Sequence, residues 1–452
     1  MIKLQSIPEF QAHLPLFSIE DNFQVVYNQF LASSLGKIYQ AIPWDELADT
    51  FGLSESKMGP DCTFSPQGKL ALMFLKNYAC CSDKRLMEQF NSNIHYQLFC
   101  RLLLGIGEEI NNFKIISQIR CELAAKLDID KAQKCLARHW LPYMEELDQV
   151  VTDATCYESS LRFPTDVKLL WEATDWCQNQ LKLLCSYGKQ AMPRCKYNKW
   201  KQRYWNYSRK RRKPKKERIA ITRGVLKLLK KLHDELAVIL KQQNVKMPGK
   251  YYTQYVIIEK VLEQQNYKLT TGKSPENRIV SLSKSYIRPI VRGKETKAVE
   301  FGAKVNKIQI NGISFIQQLS FDAFNEGAHF KASVYLAQSL THTKVKIAGA
   351  DAIYATNANR KFASSNNIRT DFVRKGRAGK HEHQRKQLAA QIKKERATKL
   401  EGSFGKDKQH YYLNRIKART KDTEILWIFM GIHVGNALEI GRRMWNQASL
   451  AA

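Results

Sequence analysis

The sequence is short of three things: acidic side chains, paired cysteines and long apolar runs. Its 452 residues carry 42 Asp+Glu against 73 Lys+Arg, a formal net charge of +31. Such a charge costs the compact state self-repulsion unless a polyanion offsets it. The ten cysteines all fall between Cys62 and Cys195 and contain no C-x-x-C spacing. That excludes a paired zinc pattern, and with no signal-type apolar run at the N-terminus it points to reduced, mostly buried thiols. His381-Glu382-His383 is the one close histidine pair; it has no third ligand nearby and reads as a solvated basic loop. The longest apolar stretch, Ile425 to Leu438, is interrupted by His433 and Asn436. A bilayer takes about 20 such residues, so this segment reads as a buried helix and the chain as soluble and cytoplasmic, with no membrane partner. Apolar residues at 44% and aromatics at 10% exclude wholesale disorder and suffice for roughly two to four domains.

The positive charge is unevenly placed. Residues 1–150 hold 14 basic and 18 acidic side chains, a net of −4, so the rest of the chain carries +35. Residues 189–218 contribute 14 basic against one acidic, and residues 369–399 contribute 11 against three. Focused charge of this kind suits phosphate neutralisation with counterion release, which makes nucleic acid the default partner ahead of an acidic lipid surface.

Periodicity divides the chain. Residues 1–145 show short helical segments: Asp21 is placed to cap one, Ser65-Pro66 opens another, Ser82-Asp83 a third, and His95–Leu104 reads as a fourth. This helical domain suits DNA-end binding or dimerisation. From Asp148 to Thr155 a β-type run ends in small polar residues, and residues 146–159 read as a first core strand. Further strand candidates are Lys297–Val305, Ile313–Ser320 and Lys344–Ala350, with a helix between them from Ala328 to Leu340. One strand far upstream of the others implies a mixed α/β sheet interrupted by an insertion, residues 160–295, that is largely helical. Residues 296–452 complete the core. Within the insertion, Tyr197, Trp200, Tyr204, Trp205 and Tyr207 alternate with Lys199, Lys201 and Arg203, followed by Arg209, Lys210, Arg211 and Arg212. Rings of this kind can stack on bases while the cations follow the backbone, or they can form a helix core with solvated cations.

Phosphodiester chemistry with two metal ions needs carboxylates from separate elements, and hard Mg²⁺ accepts oxygen ligands from only two or three acids. Asp153 ends the strand-like Val150-Val151-Thr152, Asp351 follows Val345–Ala350, and Glu401 lies in the helix-like Ala397–Phe404.

With these three acids in order, the chain resembles the bacterial insertion-sequence transposases of the DDE class. Phe64–Leu75 and Asp83–Phe90 resemble that family's N-terminal helical domain. Thr152–Ser159 with Pro164–Leu170 resembles its first catalytic block, and Glu300–Asn306 the strand that follows. Asp351-Ala-Ile-Tyr354 resembles its second block, Leu400–Gly405 and Asn414–Arg419 its third. The resemblance implies an RNase H-like core, a mixed sheet flanked by helices, with the N-terminal all-helical domain and the insertion after the first core strand. It further implies a metal-binding catalytic triad of Asp153, Asp351 and Glu401, using Mg²⁺ with Mn²⁺ able to substitute. Lys408, two helical turns after Glu401, would meet a phosphate near the cleavage site. Some relatives carry Tyr and Arg seven and four residues before the Glu. Here those positions are Lys394 and Ala397, with Arg396 one place away, and Ile353 stands where Gly is frequent. Gly402 and Gly405 are costly inside a helix, so either a backbone approaches closely there or the helix ends early. Arg374, Lys375, Arg377 and Lys380 would form a cationic loop on DNA. Glu158, Asp166, Asp322 and Glu326 are further acids near the site, with Glu326 the substitute for Glu401.

The implied function is cleavage at the element's terminal inverted repeats and transfer of the 3′-OH into target DNA. The partners would be double-stranded DNA and further copies of the chain, in a homodimer or larger synaptic assembly. The alternatives are an RNase H-like nuclease or resolvase without strand transfer, and a catalytically silent DNA-binding relative.

Overall fold

The computed structural model describes residues 19–54, 62–105, 107–291, 298–379 and 381–451. The chain enters through short helices: α1 (Ile19–Ala32), α2 (Ser34–Gln40), α3 (Trp44–Thr50), α4 (Pro66–Ala79), α5 (Asp83–Ser92), α6 (Ile94–Phe99), α7 (Lys114–Lys126) and α8 (Ile129–Trp140). Their starts follow from capping chemistry. Ser65 accepts from the Gly68 N–H, with Pro66 at the first helical position, and Ser82 accepts from the Arg85 N–H. Asp21 lies inside α1, whose described part already begins at Ile19, and α6 stops at Phe99 where Arg101 turns to positive φ.

Strand β1 (Gln149–Glu158) follows, then the inserted helices α9 (Asp166–Tyr187), α10 (Tyr197–Arg209), α11 (Lys215–Gln242) and α12 (Gly249–Thr271). Strands β2 (Pro289–Val291), β3 (Val299–Ile310) and β4 (Ile313–Ser320) lead to α13 (Phe330–Thr341) and β5 (Ile347–Ala350). Helix α14 (Asn357–Ser365), β6 (Arg369–Thr370), α15 (Glu382–Glu395), a π-helical turn (Arg396–Leu400), α16 (Glu401–His410) and α17 (Lys421–Ala451) complete the chain. The segment around His381 is thus the start of α15, because residues 384–392 supply good helix formers. Lys380 and Lys297 fall outside the described residues.

The sheet runs β2-β3-β1-β5-β6, with β4 pairing β3. β1 is antiparallel to β3 and parallel to β5, and β5 is parallel to β6. Successive residues of a strand face opposite sides, so β1 presents Val151, Asp153, Thr155 and Tyr157 to one face and Thr152 to the other. The Thr152 hydroxyl bonds Ser333 of α13 at 3.1 Å, while Val151 clusters with Ile392 and Leu400 from the α15–α16 segment. The sheet therefore lies between α13 and the α15–α16 helix. The N-terminal helices share one continuous core with the sheet and α17. Polar ties cross it: Gln133 pairs with the Ile316 backbone, and Asn77 donates to the Tyr411 and Trp427 carbonyls.

The inserted helices form a second core around Leu170, Leu181, Val225, Leu229 and Leu236. Thr165 caps α9, and Asp166 joins Lys268 at 2.6 Å and Arg278 at 2.8 Å, tying the first inserted helix to the last. Trp200 lies across Gly224, where a Cβ would come within 1.8 Å of the indole. Trp171 stacks on Tyr204, and Tyr197 and Tyr207 are buried. The aromatic face of α10 is therefore core, with Trp205 left on the outside among the exposed cations.

Candidate active site

Asp153 and Asp351 meet because β5 ends beside the middle of β1. Asp153, expected at a strand end, is an interior residue of a strand that runs on to Glu158 through its antiparallel pairing with β3, and only Asp351 follows a strand end. The β1–β5 ladder pairs Thr152 with Ala350, so the next residue of each chain is an aspartate, on backbones about 5 Å apart. Asp351 caps the turn Ala352–Tyr354 by accepting from the Ala352 N–H. Tyr354 anchors that turn from the inside, buried, with its hydroxyl donating to Asn306 Oδ1 at 2.6 Å. This explains the aromatic three residues after the acid, while Ile353 points outward. The buried Asp371 supports the same corner by accepting from the Ala350 N–H at 3.1 Å.

Burial pushes the Asp153 carboxyl up to about 6, with Glu326 and Asp351 adding to the rise and the Ala154 N–H and Arg396 opposing it. Glu326 is itself held by Lys304 at 2.8 Å. Arg396 reaches Asp351 at 3.3 Å and supplies the positive charge of the corner.

Glu401 is exposed, and its placement follows from the helix that carries it. The Glu401 N–H bonds the Arg396 carbonyl, an i→i+5 link. A π turn accommodates one extra residue, so Arg396 takes roughly the angular place that a residue four before Glu401 has in a regular α-helix. The one-place departure at Ala397 is absorbed in this way. Farther along, Lys408 Nζ bonds the Thr155 hydroxyl at 3.1 Å. Leu400 beside Val151 and Lys408 beside Thr155 bracket Asp153: eight helical residues rise about 12 Å and four strand residues about 13 Å. Helix and strand run in step, and Glu401 shares the Lys408 stripe along the flank of Asp153. Among the described residues, no three His, Cys, Asp or Glu side chains stand close enough to hold a metal ion. The aspartate pair fits a cation, whose charge would relieve the half-buried Asp153; Glu401 extends toward solvent on the same side.

The remaining acids are occupied elsewhere. Asp166 sits in the insertion's ion pairs, and Asp322 lies 3.8 Å from Arg288. Glu158 is half-buried near the end of β1. Of the cations, Lys199, Lys201, Arg203, Arg209, Lys210, Arg211 and Arg212 are exposed on the insertion, Lys210 bonding Glu217 at 2.6 Å. Arg374, Lys375 and Arg377 are exposed before α15, with Lys375 donating to Asn357 and Arg374 lying 3.5 Å from Glu382. Sequence reasoning missed Asp371, the partner role of Lys304, and a fully buried Lys307 on β3.

Residues 349–436 match the transposase DDE domain family, and residues 25–122 match the transposase domain (DUF772) family. Neither a curated protein nor a solved structure matches the chain. The first match begins within β5 and takes in Asp351, Glu401 and most of α17; the second spans α1 to α7. The match to a transposase DDE domain, on a mixed sheet that sets Asp351 beside Asp153, implies a DDE-class nucleic-acid enzyme. Together the two matches support an insertion-sequence DDE transposase. Among the described residues no helix is long and apolar enough to cross a membrane.

Two predictions arise from this geometry. The raised Asp153 carboxyl favours its protonated form in the fold, so its contribution to stability is present below pH 4 and lost as pH rises through about 6. Asp153→Asn is therefore expected to stabilise the metal-free protein at pH 8 by roughly 1–3 kcal/mol, and to change little at pH 4. Thermal unfolding at both pH values, in chelator, checks this; equal shifts at the two would refute it. Gly402 and Gly405 have open space where a Cβ would stand, and α16 continues past both to His410. Neither a close backbone within this chain nor an early helix end explains them. Ala at either position should add about 1 kcal/mol of stability. If DNA occupies that space, end cleavage falls in the same variants although they melt higher.

Proposed function

We propose that this transposase cuts DNA at the terminal inverted repeats of its own element and joins the freed 3′-OH to target DNA, using Mg²⁺. The observation that carries the reading is the juxtaposition of Asp153, inside β1, and Asp351, just past the end of parallel β5, where their ladder stops, with the Glu401 helix laid in step along β1. Asp153 and Asp351 would hold a divalent cation, with Glu401 completing the set from α16. A bound cation supplies Lewis acidity and a more acidic water. Burial of Asp153 keeps its carboxyl poor in water contacts. Lys408 stands on the Glu401 stripe and would orient a phosphate beside the acids, and Arg396 would release Asp351 as the cation takes over its charge. The cations of 199–212 and 374–380 would hold the flanking duplex through its phosphates.

The exposure of Glu401 favours a second reading, a DNA-binding relative without chemistry. One assay decides between them. The full chain is incubated with Mg²⁺ and a duplex ending in the inverted repeat that flanks its reading frame, then with a pre-cut end and a plasmid target. Cleavage with joining supports the transposase reading; cleavage alone identifies a nuclease; binding without either identifies a silent relative.

A further inference from the structure

Lys307 is fully buried on β3, directly opposite Asp153 in the antiparallel ladder. Cross-strand partners share a face, with Cβ atoms about 5 Å apart, so an ammonium at this position has the Asp153 carboxylate within reach. It is turned elsewhere. Lys307 Nζ donates to Asp407 Oδ2 at 2.7 Å and to Ser403 Oγ at 3.0 Å, and lies 5.0 Å over the Phe404 ring. All three partners belong to α16. From β1, the Tyr157 hydroxyl donates to the same Asp407 oxygen at 2.5 Å. Asp407 is itself almost fully buried, so the carboxylate and ammonium have little water to substitute for one another. A buried charge that loses its partner seeks another nearby, and for Lys307 the next anion on the same sheet face is Asp153.

We propose that Asp407, steadied by Tyr157, is a positioning residue that holds the Lys307 ammonium away from Asp153 and so leaves Asp153 open to a divalent cation. The inference rests on the reading of Asp153 and Asp351 as cation ligands. It assigns to Asp407 a role distinct from general stability: without it, an internal cation competes with the metal for the same carboxylate. The buried pair also ties α16 to the sheet; were that its only role, removing both charges would leave Mn²⁺ binding as weak as removing Asp407 alone.

The test is a calorimetric titration of the full chain with Mn²⁺, comparing wild type, Asp153→Asn, Asp407→Asn and the double variant Lys307→Met/Asp407→Asn. Asp407→Asn should weaken Mn²⁺ binding by about tenfold or more, because an ammonium beside a carboxylate competes with any other cation. The double variant, which removes the competitor, should return to within about twofold of wild type, the usual error of such cycles. If wild type and Asp153→Asn bind Mn²⁺ equally, the cation-ligand reading itself fails, and this inference falls with it. If Asp153→Asn loses binding while Asp407→Asn keeps it, or if the double variant stays as weak as Asp407→Asn, the positioning role is overturned. Should Asp407→Asn not fold, Tyr157→Phe loosens the same carboxylate without leaving a buried charge alone. It should weaken Mn²⁺ binding by about threefold, reversed on adding Lys307→Met; no weakening, or no reversal, overturns the role.

Discussion

Asp153→Asn and Asp351→Asn are each expected to lower the rate of end cleavage in Mg²⁺ by about a thousandfold, with DNA affinity held within about twofold. The magnitude follows from the several kcal/mol that a metal centre contributes to phosphodiester cleavage, at about 1.4 kcal/mol per tenfold. Affinity would be spared because the exposed cations proposed to hold DNA lie on the insertion and on the loop before α15, and removing one anion near a phosphate would slightly favour binding. Glu401→Gln belongs to the same experiment. If Glu401 is the third ligand, its loss approaches that of the aspartates; Glu326→Gln, already paired with Lys304, then costs far less. An inverted order would move the third role to Glu326. Single-turnover cleavage of a labelled end, with fluorescence anisotropy for binding, reads both quantities. An aspartate variant retaining a tenth of wild-type cleavage would sink the assignment.

The elements were legible where local chemistry decides them. Ile313–Ser320 was marked by its strand-type run, and Thr165 by its capping position, and both stand where expected. Asp351 follows the end of β5 and Glu401 lies in a helix as expected, whereas Asp153 lies inside β1, whose continuation to Glu158 depends on pairing with the distant β3. What was not legible depends on pairings across long sequence separations. Lys307 with Asp407 joins β3 to α16, and nothing near either residue announces that a lysine will be wholly buried. The π turn at Arg396–Leu400 shifts the helix by one residue, less than the spread that periodicity can resolve. The aromatic face of α10 was open to two readings because stacking on bases and packing in a core need the same spacing. Gly224, on another helix, settles it by making room for Trp200.

That inward turn of the aromatics sharpens what the insertion is expected to do, and gives the second large effect. Replacing Arg209, Lys210, Arg211 and Arg212 together by Gln should weaken duplex binding by about a hundredfold at low salt, since each phosphate contact carries its own counterion release. The slope of log affinity against log salt should flatten by about 3, a little under the roughly 0.9 per contact that four cations allow. The shortfall comes from Lys210, which already bonds Glu217. Trp205→Ala, the exposed ring of the helix, should cost far less, because base stacking on this face would need rings that the fold has buried. The proposed cation ligands lie on the sheet, outside the insertion's own core, so the fourfold Gln variant should bind Mn²⁺ as wild type does. Anisotropy titrations between 50 and 200 mM salt, the range over which phosphate-driven binding changes most, measure the slope directly. An unchanged slope would mean that the cations of this helix end face solvent without meeting DNA. The second basic segment, from Arg369 to Lys399, would then have to carry the duplex.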